Sequence, residues 1–211
     1  MVYWNSDSLI LDDLSGIPLC SDSNCRPRVH TAEMKILLEN GVPATGIPRI
    51  PHSEKIISFT KVALPYGWLG NMSPFPVQHE GVWWKTTEHL FQALRFPSGS
   101  LIRHGIRDQP SPMGAKMRAK RHKAERAVEP LSEVDLDNMR FCLFLKARTH
   151  RKIREWLLAT KMKHLIEDVS ARPRKNDPCG MCLEQGVWVG QNLLGNLWMQ
   201  LRFELAAPDH K

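Results

Sequence analysis

The sequence predicts a mainly α-helical, compact domain with a few short strands, and three observations carry that expectation. In the segment from Thr87 to Phe96, Leu90, Phe91 and Leu94 fall on one face at about 100° per residue. Between Asp137 and His150, Met139, Cys142 and Leu143 line one side and Phe141, Phe144 and Leu145 the other, the pattern of a buried helix. Near the C-terminal end, Leu194, Leu197, Trp198, Leu201 and Leu205 again repeat at helical spacing. Segments of strand character are short, at Val82 to Trp84 and Leu165 to Ser170.

Residues 1–57 differ in texture from the rest and read as an N-terminal extension wrapped on the domain. Leu9 opens a short apolar run, Gly16 and Pro27 punctuate a loop, and Thr31 to Asn40 reads as a helix stopped by Gly41. Pro43, Pro48 and Pro51 then break the chain repeatedly. Past the strand at Val82, Thr86 or Thr87 opens a helix that Pro97 ends. A basic helix follows from Leu101 to Ile106. Ser111 starts another that runs to about Val128, with Pro112 in the first turn, where its missing N–H costs nothing. Asp137 or Asn138 caps the apolar helix, and Ile153 to Thr160 forms a short one. A strand carries Glu167, Arg172 to Met181 is a polar loop, and the last helix starts near Gln191.

No apolar run approaches the ~20 residues of a membrane span, and the first residues lack a basic start and apolar stretch like those of a secretory signal. Five cysteines, an odd number, also argue against a secreted disulfide framework. A cytoplasmic or nuclear protein with no membrane partner is expected. The formal charge is +7, with a pI near 9.3. Residues 95–126 hold nine Lys or Arg against Asp108 and Glu125, and residues 140–163 hold eight against Glu155 alone. Blocks of this kind suit a phosphate-rich ligand, a pyrophosphate or a nucleic-acid backbone, or else a solubilising face.

Chemistry concentrates on the helix after Thr87, where Glu88, Gln92 and Arg95 share a face beside the apolar one. That face is either a solvated edge or a polar wall of a site. The loop before it, Tyr66, Gly67, Trp68, Leu69, Gly70 and Asn71, brings two glycines, two aromatics and an amide together, as backbone approach and ring stacking on a ligand require. Lys146 falls inside the apolar stripe of its helix. It either snorkels to the rim or is held desolvated with a lowered pKa, which frees its amine as a nucleophile. Gly190 and Asn192 precede the last helix and make an anion-binding turn or a plain capping turn. Cys179 and Cys182 have zinc-ligand spacing, Cys20 and Cys25 a looser one; a structural zinc is the lesser reading, and no metal or other cofactor is expected. His89 reads as a hydrogen-bonded buried histidine. No Walker loop, dinucleotide G-x-G-x-x-G or serine elbow is present.

Tyr66-Gly67-x-Leu69-x-Asn71 followed by Gly81, Thr86, Glu88, His89, Phe91, Gln92 and Ala93 resembles the signature of the NADAR (YbiA-like) family. Pro112, Ala115 and Lys116, then Met139 with Lys146 seven residues on, Leu157 to Thr160, Leu165 to Glu167, and Gly190, Asn192, Leu194, Gly195, Met199 and Arg202 continue the likeness in order. The resemblance covers residues 58–206, leaving 207–211 as a tail. It implies a multihelical YbiA-like catalytic domain that cleaves N-glycosidic bonds, with Glu88 and Lys146 as the catalytic pair. In this reading Glu88 supplies negative charge or a general base. Lys146 supplies an amine able to form a Schiff base with an opened ribose. Tyr66, Gly67, Trp68, Asn71 and Gln92 would hold sugar or base, Arg95, Lys116 and the Gly190–Asn192 turn would meet phosphates, and Glu167 completes the site.

Two departures stand out. Many members carry a Trp ahead of the Met139 position, and residues 131–138 contain none. Many also have Trp-Gly where this chain has Cys179-Gly180. If those tryptophans stack on a base, either other rings, such as Trp188 or Trp84, replace them here or a different base is recognised. The resemblance and the basic blocks together point to removal of ADP-ribose from ADP-ribosylated guanine in nucleic acid. Two alternatives stand beside it: a glycosidase that clears phosphoribosylated riboflavin intermediates, and a non-catalytic ADP-ribose or NAD binding module. The sequence leaves oligomeric state open.

Overall fold

A computed structural model describes residues 47–171 and 178–206. Strands β1 (Arg49–Pro51), β2 (Ile56–Phe59), β3 (Val77–His79) and β4 (Val82–Trp84) precede helices α1 (Thr87–Leu94), α2 (Leu101–Arg107), α3 (Pro112–Arg121), α4 (Glu133–Thr149) and α5 (Arg151–Ala159). Strands β5 (His164–Glu167), β6 (Met181–Glu184) and β7 (Val187–Gly190) then lead to α6 (Leu193–Ala206). With six α-helices and seven strands among the described residues, the architecture is mixed α/β, which corrects the mainly α expectation. The missed strands are three or four residues long, too short to show a period of two. Both hairpins turn on a non-canonical pair, Glu80-Gly81 (φ 51° and 72°) and Gln185-Gly186 (φ 49° and 80°). Positive φ at both central residues is the primed-turn geometry that matches strand twist.

The strands form a three-stranded antiparallel sheet in the order β1-β7-β6, a parallel β2-β5 pair and the β3-β4 hairpin. Arg49 pairs with Val189, and Ile56 and Phe59 pair with His164 and Glu167, so residues assigned by sequence to the extension are woven into two sheets from residue 49 onward. The helix expected over Thr31–Asn40, with Cys20 and Cys25, lies outside the described residues.

Helix α4 is the central element and packs on α1, α5, α6 and β3. It begins a turn earlier than expected, because Ser132 is the cap and its hydroxyl accepts from the Asp135 N–H at 3.3 Å. Asp137 and Asn138 therefore lie inside the helix. Helix α3 stops at Arg121 rather than near Val128. Residues Lys123–Glu125 make a 3-10 turn, and the Ala127 and Val128 N–H groups bond to the Arg95 carbonyl instead. Leu90, Leu143, Ile153, Leu157, Leu165 and Trp198 are fully buried in the main core, and Ile166 of β5 forms a second cluster with Met181 and Trp188 of the three-stranded sheet. No helix among the described residues is long and apolar enough to cross a membrane.

Candidate functional site

Every residue of α1 is buried, Glu88 at 5 % exposure among them, so the Glu88, Gln92 and Arg95 face is internal and the solvated-edge alternative falls. The helix starts where sequence places it. Thr86 is the N-cap, accepting from the His89 N–H. The Thr86 hydroxyl also sits 2.8 Å from His89 Nδ1, while His89 Nε2 lies 3.2 Å from the Gln109 carbonyl. A carbonyl can only accept, so Nε2 carries the proton and Nδ1 accepts from Thr86. Burial lowers the His89 pKa and keeps this ring neutral.

Along the inner face of α1 runs a chain of side-chain hydrogen bonds. Gln92 Nε2 donates to Glu88 Oε1 at 2.9 Å, and Arg95 Nη1 donates to Gln92 Oε1 at 3.2 Å. Arg95 Nε and Nη2 each donate to one oxygen of Asp135 on α4 at 2.7 Å, a two-pronged ion pair. The Leu131 N–H also donates to Asp135, at 2.9 Å, and the Arg95 guanidinium covers the Phe91 ring at 4.3 Å. Arg95 was expected to meet a phosphate, yet three of its N–H donors are spent inside the protein.

The loop before α1 is pinned from two sides. From α1, the Glu88 N–H and the Thr87 hydroxyl both donate to the Asn71 carbonyl at 3.0 Å. From α4, Asn71 Nδ2 reaches Met139 Sδ at 2.9 Å, and Lys146 holds the loop backbone. The Lys146 ammonium, 0 % exposed, donates to the Trp68 carbonyl, to the Gly70 carbonyl at 3.0 Å and to Ser73 Oγ at 2.7 Å. Lys146 does not snorkel. Burial pushes its pKa down to about 7, while the three surrounding oxygens favour the protonated form. Gly67 is required by proximity, since a Cβ there would stand 2.3 Å from the Val62 carbonyl oxygen. The Trp68 ring packs on Trp156 and Trp198, with centroids 5.7 and 6.0 Å away. Tyr66 takes a left-handed backbone (φ 63°) and presents its ring at 40 % exposure, an arrangement uncommon for a bulky residue.

Helices α1 and α4 run antiparallel across this seam. Arg95 meets Asp135 at one end, and the loop capped by Glu88 meets Met139 and Lys146 toward the other. Between them lies Cys142, whose thiol pKa is raised by burial first and then by Glu88 and Asp135, so both carboxylates act on one short stretch of α4. Sequence reading missed Asp135, Ser73 and Asn138. Asp135 looks like ordinary first-turn charge, and Ser73 before Pro74 looks like turn chemistry. Asn138, expected as a cap, is buried, and its Oδ1 has no hydrogen-bond partner among the described residues.

Other predicted site residues fall elsewhere. Lys116 is exposed on α3. Glu167 is buried on β5, where its N–H bonds to Asn192 Oδ1 at 3.1 Å. The Gly190–Asn192 turn is a structural cap rather than an open anion site. The Gly190 N–H donates to Pro48, and the Asn192, Leu193 and Leu194 N–H groups donate to Gly180, Pro178 and Cys179 carbonyls at 3.0–3.2 Å. Asn192 itself is buried in the left-handed region (φ 53°) and donates to the Leu165 carbonyl. Of the two proposed substitute tryptophans, Trp84 and Trp188, both are buried, and Trp188 donates its indole N–H to His52 Nδ1. Among the described residues no group of three His, Cys, Asp or Glu is placed to hold a metal.

A model of the NADAR domain matches residues 58–206. The chain belongs to the NADAR family. The N-glycosidase YbiA of Escherichia coli (strain K12) is 35 % identical over 160 residues, covering 75 % of this chain and 94 % of that protein. The N-glycosidase Npun_R5314 of Nostoc punctiforme is 30 % identical over 156 residues, covering 71 % and 92 %. The NMR structure of the Escherichia coli protein YbiA superposes with a TM-score of 0.59 at 30 % identity, over 77 % of this chain and 95 % of that one. This NADAR chain thus shares a fold with that structure, and its α1–α4 seam lies inside the matched region.

Proposed function

We propose that this NADAR protein is an N-glycosidase that hydrolyses a ribose C1–N bond, with Glu88 facing the oxocarbenium-like transition state. The observation that carries the reading is the Glu88 carboxylate, buried on α1 and held by Gln92, in a chain whose relatives carry the name N-glycosidase. As the C1–N bond breaks, positive charge grows at C1. A buried carboxylate stabilises it and takes a proton from the attacking water, whose oxygen bonds to C1 while the departing nitrogen gains a proton.

A second route is favoured by the lowered pKa of Lys146, which gives a share of free amine at neutral pH. That amine would attack C1 of the ring-opened N-glycoside and expel the base, whose nitrogen takes up the protons the amine loses, leaving a Schiff base on Lys146 that water later hydrolyses to free sugar and amine. To do so it must leave the Trp68, Gly70 and Ser73 oxygens. Sodium borohydride added during turnover separates the routes. A reduced adduct on the 133–149 peptide supports Lys146 as the nucleophile, and its absence with product still forming supports Glu88 alone.

Two blocks of basic residues favour ADP-ribosylated guanine in nucleic acid as the substrate. The protein is incubated with ADP-ribosylated guanine DNA and, separately, with phosphoribosylated riboflavin intermediates. Release of ADP-ribose that falls steeply with salt supports the first substrate, and turnover of the small molecule alone supports the second. Ligand binding by the wild-type protein with no turnover in either assay, and affinity unchanged in Glu88→Gln, marks a binding module and removes the enzymatic reading.

A further inference from the structure

The geometry points to a positioning relay, Asp135–Arg95–Gln92, that fixes the carboxylate of Glu88 from behind. The inference rests on the reading of Glu88 as the reacting group. A carboxamide can present either its oxygen or its NH2 to a neighbour. Gln92 is denied that choice because Arg95 Nη1, a donor only, occupies Oε1 at 3.2 Å and so turns Nε2 toward Glu88 Oε1 at 2.9 Å. Arg95 is denied its own freedom by the fork to Asp135, two bonds of 2.7 Å from a carboxylate that is itself buried and takes the Leu131 N–H.

The consequences are electrostatic as well as geometric. Asp135 neutralises Arg95, so the guanidinium that orients Gln92 carries no uncompensated charge of its own. Without Asp135 the guanidinium loses its fork, and Gln92 Oε1 loses the fixed donor that orients it. Ala127 and Val128 N–H groups on the Arg95 carbonyl hold the base of the relay in place. Gln92 and Arg95, expected from sequence to contact ligand, thus act through Glu88.

The full chain is assayed on ADP-ribosylated guanine DNA and on the phosphoribosylated riboflavin intermediates, using Gln92→Leu, Asp135→Asn and the double variant, with Glu88→Gln as the reference. The relay predicts a fall in kcat of about tenfold or more for each single variant, with KM within about twofold. It also predicts a double variant no worse than the poorer single one, because links in series fail together. Arg95→Lys, which can reach Asp135 or Gln92 but not both, should lie between wild type and Gln92→Leu. Urea denaturation checks that each variant is folded under assay conditions, and Gln92→Leu and Arg95→Lys carry the test if Asp135→Asn does not fold. Folded Gln92→Leu with unchanged kcat, or losses that add in the double variant, overturns the relay. Unchanged activity in Glu88→Gln instead overturns the site reading on which it rests.

Discussion

The Lys146 ammonium and the Ser73 hydroxyl stand 2.7 Å apart in a fully buried setting, joining the centre of α4 to the loop that precedes α1. The Ser73 hydroxyl in turn reaches the Gly70 carbonyl at 2.7 Å, so its lone pair is left to accept from Lys146. A single side chain therefore gathers the backbone of Trp68 and Gly70 on either side of Leu69.

Because burial places the folded-state pKa of Lys146 near 7, below the ~10.4 of an unfolded lysine, stability should rise with pH between those values. In that window the unfolded chain binds the proton and the folded chain does not, and the penalty is fully present only below the folded pKa. Urea denaturation at pH 7 and pH 9 should show a gain of about 2 kcal/mol from this residue. Lys146→Met, which removes the donor bridging the Trp68 carbonyl, the Gly70 carbonyl and Ser73, should be less stable at both values and lose that increment. An unchanged pH slope in the variant would mean the ammonium stays charged throughout.

Glu88→Gln should cost at least about a hundredfold in kcat while moving stability by no more than about 1 kcal/mol. The substituted amide keeps an oxygen for Gln92 Nε2, so the bond along α1 persists while the charge goes. Steady-state kinetics beside thermal melting decide between a chemical and a structural role.

Gly195→Ala tests how closely α6 approaches β5. A Cβ there would lie 2.1 Å from the Leu165 carbonyl oxygen and 2.5 Å from Asn192 Oδ1. Alanine improves helix propensity by about 1 kcal/mol, yet the displaced strand should outweigh that gain and lower stability by about 2 kcal/mol net. A stabilised variant by urea denaturation would show that the helix can move off the strand at little cost.

Trp198→Phe removes the indole N–H that donates to the Leu69 carbonyl at 2.8 Å, in a residue that is fully buried. An orphaned carbonyl and a small void together should lower stability by about 2–3 kcal/mol. The Trp68 ring loses part of its packing partner, so its fluorescence should change even where the fold persists.

Much of the helical frame was legible because periodicity and caps are local: Thr86 before α1, Pro112 in the first turn of α3, and the apolar repeat of α6 all fall where sequence places them. Strands β1 and β2 were not, since three- and four-residue segments broken by Pro48 and Pro51 gain their identity only from partners at Val187–Gly190 and His164–Glu167. Gly190 and Asn192 were legible as a turn before a helix, but the destination of their N–H groups depends on the loop at 178–180.

For Glu88, Gln92 and Arg95, sequence determined that they share one face of a helix, because a helical period fixes relative angles within a few residues. Whether that face met water or another helix, and that Asp135, Ser73 and Met139 would close around it, was decided by tertiary structure alone. Burial and hydrogen-bond partners come from residues scores of positions away, and no local rule carries that information. The same limit holds at Lys146, where sequence left a choice between rim and core and the packing of α4 against the loop settled it.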